Sequence, residues 1–272
     1  MKAVITFFLF LSSTCLFAQE TYLKIFAAQK TGGGAIIYGK NDAFCPVSVS
    51  LELNLKNLGF TNEGKQFIVI PPKTDSFNLG ELNVIDPKKG TKYSYHYTFN
   101  YGDRNLKSYD NDFVYSLPFQ KGKSFILYQG YNGNFSHQDA NALDFTMPEG
   151  TEVLAARDGI VIKVVQNNTE SCPNKDCMKY NNEIFVYHPD GTFATYAHIK
   201  YNGARVKPGD QVKAGDLIAY SGNTGWSSGP HLHFACYFNG FERNNTITTK
   251  FKVKEGSAPE YLQEKKTYLK EY

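Results

Sequence analysis

Residues 221–238 read SGNTGWSSGPHLHFACYF, and this segment places two histidines on one predicted strand. Side chains two residues apart along a strand point to the same face, so His231 and His233 are expected to project together. The glycine- and serine-rich run before them predicts a loop that passes close to a ligand. Because an isolated HxH pair is a weak motif, a metal site requires further ligands from elsewhere in the chain.

Two other segments supply candidate groups. His137 lies shortly before the run ALDF at 142–145, which contains Asp144, and His198 ends an apolar strand. A catalytic zinc site keeps three protein ligands, commonly His and Asp, and one open position for water. His137, Asp144 and one histidine of the HxH pair would form such a set. The two remaining imidazoles suit general acid–base chemistry near pH 7, so the pattern predicts a metal-dependent hydrolase.

The motifs around these residues are more specific than the residues alone. They are SH at 136–137, ALDFTMPEGT at 142–151, AARDG at 155–159, YAH at 196–198, and SGNTG with SGPHLHF within 221–234. In combination they resemble the lysostaphin-type, LytM-like zinc metalloendopeptidases, over roughly residues 124–240. The resemblance implies a mostly antiparallel β fold with a groove over one zinc ion (Zn2+). It also implies a secreted endopeptidase that hydrolyses peptide bonds in bacterial peptidoglycan stems or cross-bridges through a zinc-activated water.

The resemblance also implies a role for each candidate residue. His137, Asp144 and His233 would be the metal ligands, His231 the catalytic base, and His198 a catalytic residue that helps to stabilise the transition state. Six residues separate His137 from Asp144, where some family members have three. Longer spacings occur in branches with the Ser-His…Ala-Leu-Asp-Phe pattern, and no other histidine is near enough to replace His137. Since all five groups are present, we expect an active enzyme.

Other functions remain open from sequence. The chain could be a non-catalytic peptidoglycan-binding or amidase-activating module with an occluded groove, or a protease that acts on glycine-rich proteins. Some relatives are held inactive by their own N-terminal part, so residues 19–122 are expected to regulate access to the groove. The bond cleaved and the oligomeric state are not determined by the sequence.

The length of 272 residues fits two domains, and the predicted fold class is all-β. Apolar and polar residues alternate over 47–56 and again over 93–101, which is typical of strands with one buried face. We expect residues 19–122 to form a β-sandwich-like accessory domain and residues 123–272 a metallopeptidase domain with a C-terminal arm, either helical or extended. Hairpin turns are predicted at 158–159 and 189–191. His96 is expected on a polar strand face, and His188 in a turn.

The first residues resemble a targeting segment rather than part of the fold. A short positive start and an apolar run at 3–11 predict a signal peptide, residues 1–18, cleaved after Ala18. The run is shorter than the ~20 residues that a membrane helix needs. Cys15 leaves a lipoprotein as the alternative. We therefore expect a secreted or periplasmic protein without a stable membrane span.

Cysteines and charge complete the prediction. In an exported chain, Cys172 and Cys177 are the expected disulfide pair, because they flank a short polar loop. Cys45 and Cys236 would either pair or be buried as thiols. The net charge of +3 comes without any basic block, which gives no case for binding nucleic acid.

Overall fold

The computed structural model describes residues 22–272, and in this part of the chain strands predominate. Its helices are two short 3-10 turns, Lys175–Tyr180 and Arg243–Asn245. The all-β prediction is therefore confirmed. The predicted signal peptide, residues 1–18, lies outside the described residues. No helix within 22–272 has the length and apolar character needed to cross a bilayer.

Two antiparallel sheets form the N-terminal part. The first has the order β1-β2-β6-β4 and the second the order β5-β3-β7. Their strands are β1 Leu23–Gln29, β2 Ala35–Asn41, β3 Val47–Lys56, β4 Leu58–Phe60, β5 Ile68–Ile70, β6 Thr74–Val84 and β7 Lys92–Tyr101. The two alternating runs of the sequence pair with each other, with Leu51 opposite Tyr97. Ile37 and Leu79 of the first sheet share a core with Val49 and Ile70 of the second, as in a sandwich.

A nine-stranded sheet dominates the C-terminal part, with the order β17-β12-β14-β15-β20-β10-β9-β24 and β21 paired to β20. Two three-stranded sheets, β11-β18-β16 and β23-β22-β8, and a β13-β19 pair complete it. The strands are β8 Val114–Ser116, β9 Ser124–Gln129, β10 Ala142–Phe145, β11 Glu152–Leu154, β12 Gly159–Val165, β13 Ser171–Cys172, β14 Glu183–Tyr187, β15 Phe193–Ala197, β16 Ile199–Ala204, β17 Gln211–Val212, β18 Leu217–Ser221, β19 Gly225–Trp226, β20 Leu232–Tyr237, β21 Thr246–Ile247, β22 Lys250–Lys252, β23 Glu260–Tyr261 and β24 Thr267–Leu269.

One of the two predicted hairpins forms. β14 and β15 pair antiparallel across the turn at 189–191, as expected. The predicted hairpin at 158–159 is wrong, because β11 pairs with β18 instead of β12. Both edges of β12 are already occupied, one by β14 and the other by β17. The C-terminal arm is extended rather than helical, and it adds β24 to the edge of the large sheet at β9.

The two cores show how the parts meet. Tyr115, Leu117 and Phe119 are buried in the C-terminal core, and β8 pairs with β22. In the other direction, Ile162 and Phe193 of the large sheet belong to the core of the N-terminal sandwich. The boundary after residue 122 stays a prediction, and this packing favours a boundary before residue 113.

The cysteines fall into two groups. The sulfur atoms of Cys172 and Cys177 lie 2.00 Å apart, which is bonding distance. Cys45 and Cys236 are buried free thiols, and each belongs to a different core. Cys45 and Cys236 were expected either to pair or to be buried as thiols, and the structure shows them buried and unpaired.

Candidate active site

Two of the predicted metal ligands lie on neighbouring central strands. Asp144 on β10 and His233 on β20 are direct partners in the antiparallel register. Directly opposed residues of such a pair have their side chains on the same face, a few ångströms apart. The Asp144 Oδ1 and His233 Nδ1 atoms are 2.9 Å apart. The strand register alone therefore brings the carboxylate and one imidazole together.

His137 reaches the same point from the connection between β9 and β10. Its Nδ1 donates a hydrogen bond to the carbonyl of Gly130 at 2.9 Å, which turns Nε2 toward the two strand residues. Nε2 lies 3.2 Å from Asp144 Oδ2 and 3.3 Å from His233 Nδ1. Two ligands of a tetrahedral zinc ion, bonded at about 2.0–2.1 Å, would be about 3.3 Å apart. The three atoms thus have the chemistry and spacing to hold one small metal ion.

Gln129, at the end of β9, supports this set and was missed by the sequence analysis. Its Nε2 donates to Asp144 Oδ2 at 2.9 Å and to the Ser136 hydroxyl at 2.7 Å. Its Oε1 accepts from the backbone N–H groups of Phe135 and Ser136. Gln129 therefore orients the carboxylate and the loop that carries His137 at the same time. A lone glutamine at a strand end carries no sequence signal for this role.

His198 follows β15 and has a left-handed backbone, with φ of 63°. Histidine adopts this region more readily than most non-glycine residues, although the conformation is uncommon. The ring is buried, and its Nδ1 donates to the carbonyl of Thr224 at 2.7 Å. In this tautomer the neutral ring leaves Nε2 as an acceptor. The turn at His198 thus sends the backbone into β16 while its ring stays at the site.

His231 precedes β20 and bridges to Gly222, which belongs to the glycine-rich segment. Its Nδ1 donates to the carbonyl of Gly229 at 2.8 Å, so its Nε2 is also an acceptor when the ring is neutral. Nε2 lies 3.9 Å from Asp144 Oδ1. The ring centroids of His198 and His231 are 4.5 Å apart. All five predicted site residues therefore converge on one point, and both free imidazoles face the three candidate ligands.

Burial and neighbouring charges shift the pKa values of the residues in this cluster. Burial disfavours the ionised carboxylate, but hydrogen bonds from His137 and His233 hold the pKa of Asp144 well below its usual range. Burial also lowers the pKa of His198 far below the usual histidine value, helped by repulsion from His231 and His233. The pKa of His233 is lowered mainly by burial as well. For His137, burial is outweighed by the hydrogen bond and charge of Asp144, and the pKa is raised.

The five residues lie in a groove of about 590 Å³ whose lining falls within residues 128–246. Its walls carry aromatic side chains, and the rim includes Tyr128, Phe135 and Met178, which are exposed.

Two histidines that the sequence does not assign to the site lie outside the groove. His96 is exposed on β7, and His188 is buried in the turn that follows β14. The Tyr196 hydroxyl accepts a hydrogen bond from the Ala156 backbone, away from the groove lining.

Comparison with known proteins finds similar sequences and structures. Residues 138–245 match the family model of Peptidase family M23. The chain is 36% identical over 129 residues to "Glycyl-glycine endopeptidase ALE-1" of Staphylococcus capitis, a match covering 46% of this chain and 31% of that protein. It is 29% identical over 154 residues to "Peptidoglycan DD-endopeptidase ShyC" of Vibrio cholerae, covering 54% and 32%. The chain thus spans about a third of the length of each of these relatives.

Among solved structures, the catalytic domain of the antimicrobial peptidase lysostaphin from Staphylococcus simulans is similar to this chain. The sequence identity is 31%, the match covers 46% of this chain and 86% of that domain, and the TM-score is 0.36.

Proposed function

We propose that this chain is a secreted, zinc-dependent endopeptidase that hydrolyses peptide bonds in bacterial peptidoglycan stems or cross-bridges, and the match of residues 138–245 to the model of Peptidase family M23 supports this proposal. The observation that carries the proposal is the convergence of His137, Asp144 and His233 with His198 and His231 on the floor of one open groove. The names of the two curated relatives, a glycyl-glycine endopeptidase and a peptidoglycan DD-endopeptidase, support the substrate class.

Zinc fits the donor set, with two imidazole nitrogens and one carboxylate oxygen. When bound, it would polarise the scissile carbonyl and lower the pKa of a water molecule. The His137, Asp144 and His233 side chains would hold the ion, and Gln129 would keep the carboxylate oriented. Three protein ligands of this kind would leave a further ligand position for water.

His231 is suited to take up the proton of the attacking water. Its Nδ1–H is held by the Gly229 carbonyl, so the Nε2 lone pair faces the ligand set in the neutral ring. A base in hydrogen-bond reach of the proton it abstracts contributes about 10²- to 10⁴-fold to such reactions. The proton would then pass from Nε2 to the leaving amine.

His198 lies beside His231, with ring centroids 4.5 Å apart, and would act on the same reacting atoms. Since Thr224 accepts the Nδ1 proton, His198 can donate from Nε2 only after it has taken up a second proton. Its low pKa keeps it neutral at rest. We therefore assign it to the transition state, where a proton taken up from solvent would let Nε2 donate a hydrogen bond to the developing oxyanion.

Export of the protein is supported by two features. The sequence of residues 1–18 has the pattern of a signal peptide. The Cys172 and Cys177 sulfurs are at bonding distance, and disulfides persist in oxidising compartments.

Digestion of purified peptidoglycan by the zinc-loaded protein, residues 19–272, tests this function. Released fragments are identified by mass spectrometry, and the His231→Ala protein is the matched control. New peptide termini from the wild type alone would support the endopeptidase and identify the bond. Intact cross-links with zinc bound in both proteins would instead support a binding or amidase-activating module.

A further inference from the structure

A row of four paired residues crosses the groove floor and joins the metal-ligand set to a second acidic side chain. Glu183 on β14 pairs with Ala197 on β15, Ala197 pairs with His233 on β20, and His233 pairs with Asp144 on β10. All four therefore face the groove. Neighbouring strands are about 4.8 Å apart, so two strand spacings put Glu183 about 10 Å from His233. The small Ala197 side chain leaves the floor between them open.

Glu183 is a largely buried carboxylate with one ion-pair partner. Its side chain is 19% exposed, and Lys163 Nζ lies 3.1 Å from Oε1. Lys163 itself is 45% exposed, and its ammonium group also lies 4.9 Å from the centre of the Phe185 ring. Burial raises the pKa of Glu183 although Lys163 opposes this shift. Lys163 contacts only Oε1, and among residues 22–272 no hydrogen bond reaches Oε2, so this oxygen is available to a second cation.

The opposite end of the groove carries a positive side chain. Arg243 lines the groove and donates hydrogen bonds to the carbonyls of Ser136 and Gln138, next to the His137 loop. β14 with Glu183 and β9 with its following loop lie on opposite sides of β15, β20 and β10. The charge of the groove thus changes sign across the metal-ligand set, which gives a bound peptide a preferred direction.

An unused hydrogen-bond donor lies at the Glu183 end. The backbone N–H of Trp226 is held by Asn181 Oδ1, two residues before Glu183. The indole Nε1 of Trp226 is buried and has no hydrogen-bond partner among residues 22–272, and Trp226 lines the groove. Buried donors are normally satisfied. Because this nitrogen is closed to solvent, Trp226 is a packing residue of the groove wall beside Glu183, and Glu183 is the polar group that a bound peptide can reach.

We propose that Glu183 is a specificity-determining residue that binds the amino group of a substrate residue. This inference rests on the proposed endopeptidase function. An extended peptide advances about 3.3–3.6 Å per residue, so the amino-bearing residue lies about three residues from the scissile bond, or closer if its own side chain is long. The substrate ammonium shares the carboxylate with Lys163 or displaces it.

The test compares cross-linked peptides prepared from peptidoglycan with the same peptides after acetylation of their free amino groups. For the wild type we expect kcat/KM on the native peptides to be at least tenfold higher, mainly through a lower KM. The Glu183→Gln protein should cleave both substrates at the rate at which the wild type cleaves the acetylated one. Lys163→Gln is the matched control, and it should keep or widen the preference, because it removes the competing cation.

Each outcome decides between a subsite and a structural ion pair. Equal cleavage of both peptides by the wild type, or an equal loss on both in Glu183→Gln and Lys163→Gln, would overturn the proposal. If the wild type cleaves neither peptide, the endopeptidase function fails, and calorimetric binding to the metal-loaded protein tests the subsite separately. Binding that favours the native peptides and loses this preference in Glu183→Gln would still support it, whereas unselective binding would overturn it.

Discussion

Asp144 and His233 face each other as registered partners on adjacent antiparallel strands, with Oδ1 and Nδ1 2.9 Å apart. Their approach needs no special loop, because the sheet itself sets the distance. His137 is different, since its ring depends on a connection held by Gly130 and Gln129. The candidate site therefore combines two rigid ligands with one whose position depends on a loop.

Removing the charge of Asp144 should remove the metal. The Asp144→Asn protein is expected to lose bound zinc and peptidoglycan cleavage together, because the carboxylate contacts both ligand histidines. Metal content after dialysis is measured by elemental mass spectrometry. Asp139→Asn makes the same chemical change at an exposed position of the same loop and should retain the metal. Unchanged zinc content in Asp144→Asn would take this residue out of the ligand set.

Replacing His231 should separate binding from chemistry. In the His231→Ala protein zinc content is expected to stay, because the three-ligand set does not include this ring. Cleavage should fall by about 10²- to 10⁴-fold, the usual contribution of a positioned base. Peptide release from peptidoglycan is followed with time, beside the metal content of the same sample. Full activity would show that another group accepts the proton.

Gln129→Ala tests the support of the metal ligands. Loss of its hydrogen bonds to Asp144 and to the 135–136 backbone should weaken zinc binding by about 10- to 100-fold, as is typical for groups that orient a ligand. Competition with a zinc chelator measures the affinity. Gln211→Ala, at the exposed position of β17, provides the matched control. Equal zinc affinity in the two variants would show that Gln129 does not support the metal ligands.

Shortening the chain tests the domain boundary. A protein that begins at residue 123 lacks Tyr115, Leu117 and Phe119, and removal of each such side chain from a core costs about 2–5 kcal/mol. The sum is comparable with the whole stability of a typical domain, about 5–15 kcal/mol, so we expect this protein not to fold. A protein that begins at residue 104 keeps these residues and is the comparison. Thermal unfolding of the two distinguishes the alternatives, and equal stability would favour the boundary after residue 122.

The same shortened chain from residue 104 tests the predicted regulation. The groove lining lies within residues 128–246, while Tyr101 of β7 packs against Phe241 of the groove wall with ring centroids 6.2 Å apart. We therefore expect the N-terminal sandwich to support the wall, and its removal to lower cleavage. Higher activity of the shortened protein would instead favour inhibition by residues 19–122.

His188 should make the protein sensitive to acid. Burial lowers its pKa to about 4, its Nδ1 donates to the Asp158 carbonyl, and its buried Nε2 has no partner among the described residues. The unfolded chain has a histidine pKa of about 6.5 and binds the proton first. Stability from this group is thus complete above about pH 6.5 and is lost as the pH falls toward 4.

Replacing this histidine should remove that part of the pH dependence. Urea unfolding of the wild type and of His188→Asn is compared at about pH 7 and about pH 5. The wild type is expected to lose more free energy of unfolding than the variant between these two conditions. Parallel losses would show that His188 is not the group responsible. His96→Asn, at an exposed position, should behave like the wild type.

Features that depend on neighbouring residues are predicted well from the sequence, whereas features that depend on contacts between distant segments are not. The alternating runs at 47–56 and 93–101 identify strands, because burial of one strand face is a local property of the pattern. The short motifs likewise identify His137, Asp144, His198, His231 and His233. By contrast, the predicted hairpin at 158–159 fails, since the partner of a strand is decided by which edges remain free.

The residue pattern is sufficient to predict the all-β class and the five chemical groups of the candidate site. Three relations become visible only in the folded chain: Gln129 supports Asp144, residues 115–119 pack in the C-terminal core, and Glu183 shares a row with His233. Each of these relations joins segments through strand register or through packing of distant residues. A residue's type and its neighbours along the chain carry no information about such a relation, because it forms only when the sheets assemble.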